Sequence, residues 1–219
     1  RQGAVISVCQ WLRARCAVKK VVDAFNQETS RAVAEPYVQY LAMLEVRAAL
    51  PRVKYWLREL DIELDRARGG SRLKWLYLWC RFAACADALG DPSDSARLIT
   101  RAREGASLDR NFGPIGNLSW TRSQVVVSGL LGYLDDGDPD LRASALVALE
   151  TLSAETLPYA DATVPRRGAG VPVRTKEAIL ANEATIRARF SGFPEKFEFV
   201  RDPPEGLSRF FRSGRWTRR

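Results

Sequence analysis

The chain has 219 residues, of which 46% are hydrophobic, and its 34 basic and 26 acidic side chains give a formal net charge of +8. This composition excludes an intrinsically disordered chain, and the length suits one large domain or two small ones. The sequence contains no histidine, which excludes Ser-His-Asp and Cys-His catalysis and every metal site that uses histidine.

The positive charge is concentrated at the two ends of the chain. Residues 1–35 carry six basic and three acidic side chains, and residues 156–219 carry 13 basic and seven acidic ones. Residues 36–155 carry 15 basic and 16 acidic side chains, so this middle region is almost neutral. Because a basic protein surface attracts nucleic acid, anionic lipid or an acidic protein, we expect the ends to bind such a partner.

The N-terminal segment, residues 1–35, is predicted to be a basic helical segment. Residues 4–33 predict one basic helix, with a broken helix as the alternative, and we expect it to end before Glu35-Pro36. Residues 1–22 contain five basic side chains and no acid. This pattern resembles the acid-poor start of a mitochondrial transit region, and it equally fits an ordinary basic first helix.

Residues 36–155 predict a body of helix pairs. Apolar residues recur at helical spacing over residues 37–50 and 52–67. Residues 72–89 are apolar nearly all the way round, which predicts a helix that is buried on several sides. Further helices are predicted from Ser93 or Asp94 to about residue 103, over 119–134 and over 139–153, with a loop at 105–117.

The helix predicted over residues 119–134 has an alternative. Ser119 is a suitable N-cap and the length exceeds that of an ordinary strand, which favours a helix. The β-branched run Val125–Val127 is also compatible with a short strand. Pro139, in contrast, is a favoured first residue for the helix that follows.

Two similar bends, Asp91-Pro92 and Asp138-Pro139, indicate an internal repeat. The predicted helix pairs cover about 37–67, 73–104 and 119–153, and their spacing is typical of helical-hairpin repeats. Such units need stacked neighbours to bury their apolar faces. We therefore predict an all-α fold of about three helical-hairpin repeats with an extended C-terminal tail. The alternative is an irregular helical domain in which the two Asp-Pro turns coincide by chance.

Residues 156–219 are predicted to contain a linker, one helix and an extended tail. The Pro- and Gly-containing stretch 157–174 is typical of a linker. Residues 175–190 predict a helix for which Thr175 can act as the cap. The tail that follows has aromatic residues between charged ones and little core of its own, so we expect it to lie along another surface.

The last twelve residues, Ser208 to Arg219, contain five arginines, three aromatic residues and no acid. Such a segment can bind RNA by pairing with phosphates and stacking on bases. It can equally anchor in a groove of a protein partner, or remain a solvated tail. The predicted partner-binding residues are Arg209, Phe210, Phe211, Arg212, Arg215 and Trp216.

The sequence motifs predict no catalytic, cofactor-binding or metal-binding residue. Walker loops, dinucleotide fingerprints and nucleophile elbows are absent from the sequence. The acidic run at 135–140 resembles part of a calcium loop, but the twelfth position from Asp135 is Leu146 instead of glutamate. We interpret this run as a solvated helix bend.

The four cysteines predict buried free thiols, because no two of them form a C-x-x-C pair. This usage is typical of a reducing or organellar compartment. No apolar run reaches the roughly 18 residues that a membrane span needs, so we do not expect an integral membrane protein. The cysteines are Cys9, Cys16, Cys80 and Cys85.

The stretch "GDPSDSARLITRAREGASLD" resembles a pentatricopeptide-type repeat. Gly90-Asp91 lies where that family bends, and Leu108-Asp109 lies near its closing Pro-Asp. The resemblance covers at most residues 37–155. The pattern is also similar in kind to tetratricopeptide repeats, but the Trp/Gly/Tyr signature of those repeats is absent. The residues near the family's packing positions are Ser95, Leu98, Ile99 and Ala102.

This resemblance implies a non-catalytic structural subunit of a mitochondrial complex. RNA-binding members of the family use a basic groove, which the nearly neutral body argues against. The chain most resembles the extra repeat subunits on the F1 head of euglenozoan mitochondrial ATP synthase, which implies the α subunit as partner and a location on the matrix side. The alternative is an organellar RNA-associated protein, such as a mitoribosomal subunit, with its basic ends on rRNA.

Overall fold

The computed structural model describes residues 18–108, 113–153, 166–167, 171–172, 175–201 and 214–219. Helices make up most of this part of the chain, and two small antiparallel sheets accompany them. The predicted helical class is therefore confirmed, whereas the repeat type stays a prediction. None of the described helices is both long enough and apolar enough to cross a bilayer.

The bounds of the elements are as follows. The helices are α1 (Val18–Gln27), α2 (Arg31–Met43), α3 (Leu50–Arg66), α4 (Gly70–Ala88), α5 (Ser95–Leu108), α6 (Gly113–Gly116), α7 (Gln124–Tyr133), α8 (Pro139–Ser153), α9 (Lys176–Leu180) and α10 (Glu183–Arg189). Short 3-10 turns lie at Arg47–Ala49 and Asn117–Trp120. The strands are β1 (Arg166–Arg167), β2 (Val171–Pro172), β3 (Phe197–Arg201) and β4 (Gly214–Arg218), paired as β1–β2 and β3–β4.

Helix α4 is the centre of the described body. It packs against α2, α3 and α5 and against the turn Asn117–Trp120. Its residues Leu76, Trp79 and Phe82 are almost completely buried. The prediction that this stretch is buried on several sides is confirmed, because its apolar residues cover most of the helix circumference.

The first predicted helix pair, residues 37–67, differs from the observed packing. Helix α2 packs mainly against α1 and α4, and α3 packs mainly against α4. The two predicted partners therefore lie side by side on the central helix instead of forming a hairpin with each other. The hairpin partner of α3 is α4, which follows it after the bend at Ala67–Gly69.

Helix α2 also continues through Pro36, where the sequence predicted a helix end. An internal proline costs a helix about 3 kcal/mol. Burial of each large apolar side chain contributes roughly 1.5–3 kcal/mol, so the packed face of α2 offsets this cost. The buried residues of that face include Tyr37, Val38, Tyr40 and Leu41.

The two Asp-Pro bends have different structures. After α4, Gly90 has φ +102°, its N–H donates to the Asp87 carbonyl (2.9 Å), and the Asp91 N–H donates to the Ala86 carbonyl (3.0 Å). This is a Schellman C-cap, which requires the left-handed backbone that glycine adopts without strain. Before α8, Asp138 instead caps the helix by accepting from the Asp140 N–H (2.8 Å).

Two helical glycines, Gly105 at the start of the predicted loop 105–117 and Gly129 in α7, are close-contact positions. A β-carbon at Gly105 would lie 2.2 Å from Pro114 Cγ, and one at Gly129 would lie 2.4 Å from Ile99 Cδ1. Helix α5 therefore runs through Gly105 to Leu108. Helix α7 confirms the helical interpretation of Val125–Val127, although it begins at Gln124 and not at Ser119.

The C-terminal region contains two short helices and a hairpin. The cap at Thr175 is confirmed, because its Oγ1 accepts from the Ala178 N–H at 3.2 Å. The single helix predicted over residues 175–190 is divided into α9 and α10. In place of the predicted extended tail, strand β4 pairs antiparallel with β3 and packs on α8.

Candidate partner-binding surfaces

The structure describes two of the six predicted partner-binding residues, Arg215 and Trp216, and both lie in β4. Trp216 is only 5% exposed, and its ring centroid lies 5.2 Å from that of Phe193 and 5.6 Å from that of Phe199. In this conformation Trp216 anchors the hairpin of its own chain, because an extended tail would leave its large apolar ring in water. The other predicted residues, Arg209, Phe210, Phe211 and Arg212, lie outside the described residues.

Trp216 belongs to a C-terminal aromatic cluster that joins α10 to the hairpin. Within it, the rings of Phe190 and Phe197 stack with their centroids 5.6 Å apart and their planes only 7° apart. Offset and edge-to-face ring pairs add about 0.5–1.5 kcal/mol each to the burial of their area. The members of the cluster are Phe190, Phe193, Phe197, Phe199 and Trp216.

An ion-pair group attaches this hairpin to the helical body. Glu45, which has φ +57°, forms ion pairs with Arg122 at 2.5 Å and with Arg201 of β3 at 3.1 Å. The Arg122 guanidinium also lies 5.2 Å from the centre of the Phe199 ring. Burial lowers the pKa of Arg122, and the nearby Glu45 carboxylate opposes that shift.

Within the body, many arginines pair with acids on a neighbouring helix. Asp61 of α3 accepts from Arg97 (2.8 Å) and Arg101 (2.5 Å) of α5, and Arg31 of α2 pairs with Glu63 of α3 at 3.0 Å. Further pairs join Arg72 to Glu104, Arg103 to Asp136 and Lys54 to Asp91. The near-neutral charge of this region thus reflects local neutralisation between helices.

A groove between α2, α3 and α4 has a different chemistry, and we name it the cation–aromatic groove. Its volume is about 400 Å³. Its walls come from the residues at the start of α2, the first half of α3 and the start of α4. The lining residues are Thr29, Ser30, Arg31, Arg52, Tyr55, Trp56, Glu59 and Lys74.

Arg52 is held in this groove by aromatic rings. Its guanidinium lies 4.4 Å from the centre of the Tyr55 ring and 5.0 Å from that of Trp56. One of its terminal nitrogens donates to the Glu28 carbonyl. The Arg52 Nε and the indole Nε1 of Trp56 are buried, and neither has a hydrogen-bond partner among the described residues.

The other two cations of the groove share a single ring. The Lys74 ammonium and the Arg31 guanidinium lie 4.9 and 5.0 Å from the centre of the Trp75 ring. Arg31 pairs with Glu63, whereas no carboxylate of the described residues pairs with Lys74. No sequence pattern indicates this site, because its residues are spread over more than forty positions and resemble ordinary surface residues of helices.

Burial shifts the pKa values of several ionisable groups in the described core. Burial raises the pKa of Cys85 to about 12 and also raises the pKa of Cys80, so both thiols stay protonated. Burial likewise raises the pKa of Asp87, although hydrogen bonds from Arg122, Thr121, Ser95 and Ser123 oppose the shift. The described part of the chain contains no group of three or more acidic or cysteine side chains that could hold a metal ion.

The sequence prediction of buried free thiols is confirmed for Cys80 and Cys85. Cys9 and Cys16 lie outside the described residues.

Comparison with protein-family models, with curated proteins and with solved structures finds no match for this chain.

Proposed function

We propose that this chain is a non-catalytic interaction subunit of a larger protein assembly. The observation that carries the proposal is the pairing of arginines with acids between neighbouring helices, as in Asp61 with Arg97 and Arg101. Such pairs join the helices and leave a nearly neutral body, which suits a protein partner better than a long polyanion.

The specific candidate for the assembly is a mitochondrial complex on the matrix side, with the α subunit in the F1 head of ATP synthase as the partner. This candidate comes from the pentatricopeptide-type resemblance of the sequence, and the helical body is compatible with it. In this role the chain contributes no nucleotide-binding or catalytic residue and no cofactor. It binds its partner through exposed side chains of the helices and of the C-terminal region.

The test is purification of the tagged native protein with and without ribonuclease, followed by quantitative mass spectrometry. We expect the same protein subunits in both preparations, with the α and β subunits of F1 among them. Recovery of another protein complex in both preparations would keep the interaction role and reject the specific candidate. Loss of every protein partner after ribonuclease treatment would contradict the proposal.

A second candidate function is that of an RNA-associated organellar protein, such as a mitoribosomal subunit. The specific observation in its favour is the stack of Arg52 on Tyr55 and Trp56 in the cation–aromatic groove, since arginine and aromatic side chains also stack on bases. This function requires RNA binding that weakens steeply as salt is raised. Filter binding across a salt series measures that dependence directly.

A further inference from the structure

The cation–aromatic groove carries more positive charge than the carboxylates of its own chain neutralise. Three of its lining residues are cations, Arg31, Arg52 and Lys74, and one, Glu59, is an acid. Arg31 is paired with Glu63, whereas neither Arg52 nor Lys74 has a carboxylate partner among the described residues.

The two cations without a carboxylate partner, Arg52 and Lys74, favour a negatively charged ligand group. A carboxylate meets this need, because its two oxygens can accept several hydrogen bonds from cationic side chains and it carries one charge. Tyr55 is 37% exposed, and its ring supplies an apolar wall beside the cations. The groove therefore matches an acidic side chain that is flanked by an apolar one.

The surroundings of the groove favour a short acidic segment over RNA. Glu59 lines the groove beside its cations, and Arg31 is already paired with Glu63, so of the three groove cations only Arg52 and Lys74 lack a carboxylate partner among the described residues. A nucleic acid places a charge at every nucleotide, and two such cations beside an acid can neutralise few of these charges. A peptide can place its carboxylate at Arg52 and Lys74 and continue with neutral residues.

From these observations we infer that the cation–aromatic groove is the docking site for an acidic segment of a partner protein. Its carboxylate is bound by Arg52 and Lys74, and a neighbouring apolar side chain packs on Tyr55. Arg52 is a preorganised ligand, because the Tyr55 and Trp56 rings and the Glu28 carbonyl already fix its guanidinium. This inference rests on the proposed function, since it names the chemistry that the partner supplies.

The experiment uses the full chain and three fluorescent probes. The first is a short capped peptide that alternates glutamate with phenylalanine, the second has glutamine in place of every glutamate, and the third is an oligouridylate. Fluorescence anisotropy measures their affinities for the parent protein and for the variant Arg52→Gln, Lys74→Gln. The matched control, Lys20→Gln with Arg58→Gln, removes the same two charges from exposed positions that do not line the groove.

We expect the acidic peptide to bind the parent and the control alike, and the groove variant to bind it roughly tenfold or more weakly. The glutamine peptide and the oligouridylate should bind weakly to all three proteins. Because loss of Arg52 removes packing as well as charge, Lys74→Gln alone is the second variant, and it should lose part of the affinity with an unchanged circular dichroism spectrum. Lys74 is exposed, so its replacement does not disturb the core.

The inference is overturned if the parent does not prefer the acidic peptide to the glutamine peptide, or if the control loses as much affinity as the groove variant. Tighter binding of the oligouridylate, lost in the groove variant, would assign the groove to RNA instead. The binding test and the co-purification test can fail independently. The first measures the groove alone, and the second measures every partner-binding surface of the chain. Protein partners that persist after ribonuclease, together with no effect of the groove variant, would reject the groove and retain the proposed function.

Discussion

The helical body, residues 18–153, and the C-terminal unit, residues 175–219, are stabilised by different interactions. In the body, arginines pair with carboxylates of neighbouring helices, and the core is built mainly from aliphatic and small side chains. In the C-terminal unit, Arg218 donates to the Ser191 carbonyl at 2.8 Å and lies 5.9 Å from the Phe197 ring centre. That unit depends on the aromatic cluster, of which Phe190, Phe197 and Trp216 are buried.

The two regions should therefore respond differently to the loss of one large side chain. Trp79 is completely buried in α4 and is covered by the guanidinium of Arg101, 4.1 Å from its ring centre. Trp216 is buried at the edge of the molecule, between the hairpin strands and the rest of the cluster. Removing either ring tests whether the regions unfold together.

The largest expected effect is that of Trp79→Ala, which should lower the free energy of unfolding by about 3–5 kcal/mol. Trp216→Ala should cost about 2–4 kcal/mol, because part of the cavity can collapse or fill with water. Urea denaturation followed by circular dichroism measures both values. Hydrogen exchange should show faster exchange throughout the body for Trp79→Ala, and mainly in β3 and β4 for Trp216→Ala.

If Trp216→Ala raised hydrogen exchange in α4 as much as in β3 and β4, the body and the C-terminal unit would form one cooperative unit. The Glu45 ion pairs to Arg122 and Arg201 provide the physical route for such coupling. That result would contradict the expectation that the two regions respond differently to the loss of one large side chain.

A smaller effect is expected from glycines at close contacts. Gly129→Ala should lower stability by about 1–2 kcal/mol, because the new methyl group overlaps Ile99, whereas the gain in helix propensity is at most about 1 kcal/mol. The matched control is Gly132→Ala in the same helix. No atom lies within 4 Å of its added β-carbon, so it should raise stability by about 0.5–1 kcal/mol.

A glycine-to-alanine substitution in the hairpin, Gly214→Ala, gives the matching test for the C-terminal unit. A β-carbon at Gly214 would lie 2.4 Å from the Val200 carbonyl oxygen, which belongs to the paired strand and cannot rotate away. Gly214→Ala should therefore separate β3 from β4 and leave the stability of the body unchanged.

A second substitution, Ile99→Ala, should rescue Gly129→Ala, and failure of that rescue would contradict the close-packing explanation.

The smallest effect concerns pH. Burial raises the pKa of Cys85 from 9.0 to about 12, so its thiol contributes stability that is fully present below pH 9.0 and is lost as pH rises toward 12. At about pH 10, ionisation of this thiol in the unfolded chain should lower the free energy of unfolding by about 1 kcal/mol. The C-terminal unit contains no cysteine, so the effect should be confined to the body.

Urea denaturation at several pH values checks this, in a chain that carries Cys9→Ser and Cys16→Ser so that the described thiols alone remain. Cys85→Ala should give a flatter dependence on pH between about 9 and 11. The two native thiols should also react slowly with a thiol reagent at neutral pH. Fast reaction under native conditions would show that α4 opens locally.

The sequence alone predicted those features that depend on local pattern. The periodicity of α3, the apolar circumference of α4, the start of α8 at Pro139 and the cap at Thr175 are each specified within one helix or turn. The near-zero net charge of the middle region also follows from the sequence alone. These properties need no knowledge of which elements are neighbours.

The tertiary structure decided what depends on distant residues. Helix α2 continues past Pro36 because its face is buried against other elements, and local propensity does not contain that free energy. Strands β3 and β4 are short and separated along the chain, so their pairing is set by the aromatic cluster. The cation–aromatic groove exists only because packing brings Arg31, Arg52 and Lys74 together, which no periodicity in a single helix encodes.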